Sequence, residues 1–139
     1  MYVKESCTKN VEYVGPQTNL QEIAKLMKAK DCGSILIAEN DKLTGIVTDR
    51  DIVIRAVSEG LDSANTPAQK IMTDSVLYCY EDQTAEEVLD NMAENKVKRL
   101  PVLDREKNLT GIVSFGDLSA ACDHKEKAGE TMQDIRRAS

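Results

Sequence analysis

The sequence lacks the features of membrane and exported proteins, and it lacks an excess of basic charge. No apolar run approaches the ~20 residues that span a bilayer, and the first residues show no basic stretch followed by a hydrophobic one. The 18 lysines and arginines are outnumbered by 24 acids, which gives a net charge of −6. A protein that binds the phosphate backbone of nucleic acid usually presents excess cations on one face. We therefore expect a cytoplasmic protein that binds neither membrane nor nucleic acid.

The residue sets of common metal sites and catalytic centres are also missing. There is no C-x-x-C pair, and the single histidine, His124, lies in a polar stretch. Neither a P-loop nor a His-Glu-x-x-His motif is present. Asp49 and Asp51 could hold a magnesium ion, although two carboxylates near a helix start are common without a metal. We predict no metal, no required cofactor and no enzymatic activity, with the widely spaced cysteines acting as small apolar residues: Cys7, Cys32, Cys79 and Cys122.

What the sequence does contain is an internal repeat. The segment 43–52 recurs as 109–118, an offset of 66 residues, and both copies carry a Gly-Ile-Val motif. Upstream, an offset of 65 pairs Cys7-Thr8 with Met72-Thr73. Two copies of one unit therefore fill the chain from near residue 3 to near residue 122.

Each copy shows the pattern of a β-α-β-β-α unit. A short extended stretch precedes a helix with apolar residues at i, i+3, i+4 and i+7, and two apolar runs joined by a polar turn follow it. Capping-box patterns begin the helices at Thr18 and Thr84. Pro101 is expected at a strand start or a sheet edge, because it has no N–H to donate. The predicted fold class is α/β (α+β), with two tandem repeats related by pseudo-two-fold symmetry: repeat 1 at 1–60, a linker at 61–67, repeat 2 at 68–122 and a polar tail at 123–139.

The second helix of each copy starts with a motif that has two interpretations. Thr48-x-x-Asp51 and Ser114-x-x-Asp117 have capping-box spacing, with aspartate in place of the usual Glu or Gln. An aspartate at a helix start can also accept hydrogen bonds from both hydroxyls of a cis-diol, and the hydroxyl and the free backbone N–H groups there suit a phosphate. The two interpretations are compatible with each other.

The doubled Gly-Ile-Val-(Thr/Ser)-x-x-Asp motif, preceded by an apolar strand of Leu-Pro-Val type and by a helix ending in Met, resembles the cystathionine-β-synthase (CBS) domain. Two tandem copies resemble a stand-alone CBS pair, or Bateman module. The resemblance implies a regulatory module that binds AMP, ADP, ATP or S-adenosylmethionine in clefts between the repeats. It also implies a homodimer and an effector protein that the sequence does not identify. The alternative is a scaffold for oligomerisation or protein interaction that binds no ligand.

The family pattern also implies which residues bind the ligand. It places the aspartate on the ribose, the Ser or Thr on ribose or phosphate, and apolar residues of both repeats against adenine. One site would use Ile46, Thr48 and Asp51 with Val76 and Val97. The other would use Ile112, Ser114 and Asp117 with Val11, Cys32 and Gly33.

Basic residues distinguish the two implied sites. Lys98-Arg99 occupies the family position where cations approach phosphates, whereas repeat 1 has Gly33-Ser34 there. Arg50 could compensate in repeat 1, since a guanidinium can hold a phosphate with two hydrogen bonds. Arg50 and Lys98 could equally be ordinary surface charges. We predict that the site with Ser114, Asp117 and Lys98 is the tighter site for a nucleotide that carries phosphate.

Overall fold

A computed structural model describes residues 1–121 of the chain. The predicted tail at 123–139, with His124, and also Cys122 lie outside the described residues. The described part forms two compact units. We call Glu12–Val76 the repeat-1 unit, and Met1–Val11 together with the chain from Leu77 onward the repeat-2 unit.

The repeat-1 unit has the predicted order of elements. It contains β1 (Tyr13–Val14), α1 (Leu20–Lys30), β2 (Ser34–Glu39), β3 (Lys42–Thr48), α2 (Asp49–Asp51), a π-helical continuation of α2 (Ile52–Val57) and α3 (Ala68–Ile71). The sheet order is β1-β2-β3, with β1 parallel and β3 antiparallel to β2. The apolar face of α1 covers the sheet, and the core residues are Leu20, Ile23, Met27, Ile35, Ile37, Val47, Ala56, Ala68 and Ile71.

The repeat-2 unit repeats this architecture. It contains a 3₁₀ turn (Val3–Glu5), β4 (Cys79–Tyr80), α4 (Ala85–Asn95), β5 (Arg99–Leu103), β6 (Leu109–Ser114) and α5 (Phe115–Ala121). The sheet order is β4-β5-β6, again with one parallel and one antiparallel pair. Its core residues are Val3, Cys79, Ala85, Val88, Leu89, Met92, Leu100, Val102, Val113 and Leu118. The two-copy α/β fold predicted from the sequence is confirmed.

The boundaries of the compact units differ from those of the sequence repeats, because the first residues of each repeat pack on the other repeat's unit. The N-terminal segment packs on the second repeat: Val3 is fully buried in that core, and Thr8 exchanges backbone hydrogen bonds with Ile112. In the same way, Thr73 exchanges hydrogen bonds of 2.9 Å with Ile46 of the first repeat. The stretch predicted as a linker belongs to the repeat-1 unit, where Thr66 is buried and its carbonyl accepts from the Leu20 N–H.

Two glycines allow these segments to approach so closely. A Cβ on Gly111 would lie 2.8 Å from Cys7 Sγ and 2.9 Å from the Thr8 carbonyl oxygen. A Cβ on Gly45 would lie 2.6 Å from Met72 Sδ and 2.9 Å from the Thr73 carbonyl oxygen. Real Cβ atoms essentially never come so near to other atoms. The two crossing segments, Cys7-Thr8 and Met72-Thr73, therefore each require a glycine in the strand beneath them.

Two local predictions need correction. The cap of α1 is Asn19, whose side chain accepts from the Glu22 N–H, and not Thr18 one residue earlier. Pro101 lies in the third position of the central strand β5, but β4 pairing begins only at Val102. On the other side Pro101 lies opposite Ile112 of β6, whose own N–H and carbonyl bond Thr8, so no ladder bond is lost at the proline. The Pro101 carbonyl oxygen is 3.7 Å from Cys79 Sγ. The capping box at Thr84 is confirmed. None of the helices within residues 1–121 has the length and apolar character needed to span a membrane.

Candidate functional site

A cavity of about 240 Å³ opens in the repeat-2 unit where the β5–β6 hairpin meets α5. It combines a carboxylate, two hydroxyls and a guanidinium with apolar strand residues. The residues that line it are Thr8, Arg99, Ile112, Val113, Ser114 and Asp117.

Asp117 and Ser114 are held in place by a reciprocal cap. The Ser114 N–H donates to Asp117 Oδ2 at 3.0 Å, and the Asp117 N–H donates to Ser114 Oγ at 3.1 Å. The capping interpretation is therefore correct, and the same bonds fix the carboxylate at the cavity wall. Within residues 1–121, Asp117 Oδ1 has no hydrogen-bond or ion-pair partner. Because a carboxylate oxygen accepts more than one bond, Asp117 can cap the helix and bind a ligand at the same time.

The strand register brings Arg99 beside this pair. Arg99 is the first residue of β5 and lies directly opposite Ser114 of β6. Both residues line the cavity, and the arginine is exposed. Lys98, the other predicted cation, does not line it; its backbone carbonyl instead accepts from the Phe115 N–H at 2.7 Å and fixes the start of α5. Arg99 is therefore the cation that can reach a ligand group bound near Ser114.

Two lining residues, Thr8 and Val113, were not predicted from the sequence, and Thr8 is the polar one. It comes from the N-terminal segment, and its backbone pairs with Ile112. The match between Cys7-Thr8 and Met72-Thr73 was the available signal, since it marks the same crossing segment in each copy. That match did not show which copy either segment would contact.

The repeat-1 unit carries the matching motif in a different setting. Thr48 and Asp51 form the same reciprocal cap, with bonds of 2.9 and 3.0 Å. Ser34 takes the place of Arg99 opposite the hydroxyl residue. The Asp49 carboxylate lies beside Gly33, where a Cβ would be 3.2 Å from its Oδ2. Two positive side chains stand at this motif: Arg50 is exposed, and Arg55 Nε lies 3.8 Å from Asp51 Oδ1.

The remaining predicted residues are divided between the units. Val11 belongs to the same unit as Asp117, and Val76 to the same unit as Asp51. Ile46 and Ile112 are half-buried next to the crossing threonines. Val97, predicted for the Asp51 site, packs on the repeat-2 core. Cys32 and Gly33, predicted for the Asp117 site, lie in the repeat-1 unit, where Cys32 packs on the core.

One protein-family model matches the chain twice, once in each repeat. The family model of the CBS domain matches residues 3–58 and 68–124. The chain belongs to the CBS-domain family. Its two repeats therefore form a CBS pair, the architecture seen in the described residues.

Known relatives have the same extent. A CBS domain-containing protein of Bacillus subtilis, YhcV, is 35% identical over 96% of this chain and 94% of its own length. The crystal structure of Hypoxic Response Protein I with two coordinated zinc ions is 32% identical, covering 88% of this chain and 99% of that chain with a TM-score of 0.77. Residues 1–121 of the present chain contain no group of three or more His, Cys, Asp or Glu side chains placed to bind a metal.

A third relative was crystallised with adenosyl compounds. The CBS domain pair of protein MJ0100, in complex with 5′-methylthioadenosine and S-adenosyl-L-methionine, is 25% identical, covering 87% of this chain and 94% of that chain with a TM-score of 0.69.

Proposed function

We propose that this CBS pair is a regulatory module that binds an adenosyl ligand and catalyses no reaction. The candidate ligands are AMP, ADP, ATP and S-adenosylmethionine. The proposal is supported by the family membership and by the adenosyl compounds bound to the CBS pair of MJ0100. The observation that carries it is the repeat-2 cavity, in which a carboxylate with a free oxygen, two hydroxyls and an arginine converge.

The ribose is assigned to Asp117. Charge-assisted hydrogen bonds are roughly twice as strong as neutral ones, and the carboxylate retains Oδ1 for the two ribose hydroxyls while Oδ2 holds the cap. Ser114 Oγ and Thr8 lie on the same cavity wall as further hydrogen-bonding groups.

Phosphate is assigned to Arg99. A guanidinium binds phosphate through two parallel hydrogen bonds, and Arg99 makes no ion pair within the described residues. The cavity of about 240 Å³ is smaller than the ~300–1,000 Å³ of complete small-molecule sites. It therefore holds part of a nucleotide, and we assign the ribose and phosphate to it because Asp117 and Arg99 line it. In the repeat-1 unit, Ile46, Thr48, Arg50 and Asp51 form the second proposed site.

Regulation follows from binding. A ligand that binds only the folded protein stabilises it by RT ln(1 + [L]/Kd), about 2.7 kcal/mol at a hundred times Kd. Any arrangement of the pair that binds the ligand better is favoured by the same difference in affinity. A partner protein that recognises this arrangement would detect the ligand.

The test is calorimetric titration with AMP, ADP, ATP and S-adenosylmethionine. We expect Asp117→Asn, which keeps an oxygen for the cap, to weaken AMP binding tenfold or more, and the matched variant Asp51→Asn to weaken it less. Arg99→Gln should weaken AMP while leaving adenosine unchanged. Equal losses in the two aspartate variants would contradict the ranking of the sites. No heat and no thermal shift with any ligand would reject the sensor, and turnover of a ligand would show an enzyme.

A homodimer is supported by an exposed apolar face on the helix that follows β3. Val53, Ile54 and Val57 are 54, 50 and 66% exposed. Contiguous exposed apolar patches mark interaction sites, and these three residues lie close together in one helical segment. We propose that a second copy covers this face. If no ligand binds, the same face favours an interaction scaffold as the second candidate function.

The dimer is tested by light scattering on the eluting protein. Val57→Asp should convert a dimer into a monomer, whereas the same change at the exposed polar residue Gln17 should not. We also propose a cytoplasmic location, in keeping with the unpaired state of the three cysteines in the described part of the chain.

A further inference from the structure

One arginine distinguishes the two ribose-binding aspartates. In the repeat-1 unit, Arg55 Nε lies 3.8 Å from Asp51 Oδ1, the oxygen that the cap leaves free. The two residues are four apart on one helix, so they lie on the same face. The aspartate side chain is 14% exposed and the arginine side chain 50%. The carboxylate that would meet a ribose therefore already has a cationic partner.

A second contact holds this arginine in position. Arg55 Nη1 donates to the Ile71 carbonyl at 3.1 Å, and the Met72 carbonyl oxygen lies 3.5 Å from the same nitrogen. These carbonyls end α3, just before the segment that crosses Gly45. The guanidinium is held through Nη1 by the Ile71 carbonyl and lies with Nε near Asp51. Because the hydrogen bond to Ile71 already orders the side chain, the pair with Asp51 costs less side-chain entropy than a free surface pair would.

The repeat-2 unit has no equivalent. The offset of 66 places Ala121 at the position of Arg55. The alanine side chain has no donor, and no lysine or arginine in residues 1–121 forms an ion pair with Asp117. The chain therefore carries two copies of one cap: the outer oxygen of Asp51 lies within ion-pair distance of a guanidinium, whereas that of Asp117 has no partner within the described residues.

We infer that Arg55 is a specificity residue that makes the two sites unequal, because it competes with a ribose for Asp51. The repeat-2 site then fills first, and the repeat-1 site fills only at higher ligand concentration. This inference rests on the proposed function, since it assumes that the aspartates bind ribose. Half-exposed ion pairs are weak, so we expect Arg55 to lower the affinity of the repeat-1 site about five-fold, the equivalent of about 1 kcal/mol.

The experiment isolates the repeat-1 site. In an Asp117→Asn background, AMP is titrated into the protein with and without Arg55→Gln. We expect Arg55→Gln to tighten AMP binding about five-fold, and a further Asp51→Asn to remove the gain. The matched control is Arg105→Gln, which removes a cation from the repeat-2 unit and should leave this affinity unchanged.

A reciprocal variant covers the case in which Arg55→Gln fails to fold. Ala121→Arg installs the competitor in the repeat-2 site and should weaken AMP binding there about five-fold, without any change to the repeat-1 unit. Unchanged or weaker binding in Arg55→Gln, with AMP still bound by the wild-type chain, would overturn the inference alone. No AMP binding by the wild type or by any variant would overturn the inference and the proposed function together.

Discussion

Replacing Gly111 with alanine tests how the N-terminal segment is held on the repeat-2 unit. The new Cβ would lie 2.8 Å from Cys7 Sγ and 2.9 Å from the Thr8 carbonyl oxygen, so the segment must move away. That movement weakens the two backbone hydrogen bonds between Thr8 and Ile112, now 2.9 and 3.1 Å. Overpacking of this kind costs about 1–3 kcal/mol of folding free energy. The loss from the two weakened hydrogen bonds is part of that cost.

Thermal unfolding followed by circular dichroism measures the effect. One kcal/mol corresponds to roughly 3–5 °C for a chain of this size, so Gly111→Ala should lower Tm by several degrees. The control is Gly116→Ala in the same unit, where a Cβ would meet only Ser114 Oγ, at 3.6 Å. That helical substitution should be neutral or stabilising by up to about 1 kcal/mol. Because Thr8 lines the cavity, Gly111→Ala should also weaken AMP. A Tm and an AMP affinity equal to those of the wild type would show that close contact with Gly111 does not hold the segment.

Three further predictions concern the repeat-2 unit. Burial raises the pKa of the Cys79 thiol to about 12, so iodoacetamide at pH 8 should label it only after unfolding; rapid labelling of the native protein would contradict this. Hydrogen bonds from Arg105 lower the pKa of the Asp82 carboxyl, so the pair stabilises above the ordinary aspartate pKa. The stability difference between wild type and Arg105→Gln should be present at pH 7 and vanish as the pH falls below about 4. Thr84→Ala removes the α4 cap and should cost about 0.5–2 kcal/mol in chemical denaturation, whereas an unchanged midpoint would show that the cap contributes nothing.

The architecture of each unit could be predicted from the sequence because its signals are local. Apolar spacing in the helices, the polar turn of each hairpin and the caps at Thr48, Thr84 and Ser114 depend on residues close together in the chain. The register that places Arg99 opposite Ser114 follows from the same hairpin. The motif at the candidate site could therefore be identified from the sequence alone.

Features that depend on distant residues could not be predicted. Nothing in the repeat indicates that Cys7 and Thr8 contact Gly111 and not their own copy, because both glycines look alike in sequence. Arg55 reads as a helical surface residue, and its attachment to Ile71 becomes visible only when α3 is placed. For the same reason the sequence could not show that Arg99, and not Lys98, faces the cavity.

The proposal that Asp117 binds the ribose of a nucleotide can be tested with a structure from crystals grown with AMP. We expect nucleotide in the repeat-2 cavity, with ribose hydroxyls about 2.6–3.0 Å from Asp117 Oδ1 and phosphate against Arg99. Nucleotide bound elsewhere, or an empty cavity with Asp117 engaged only by the protein at saturating AMP, would contradict it.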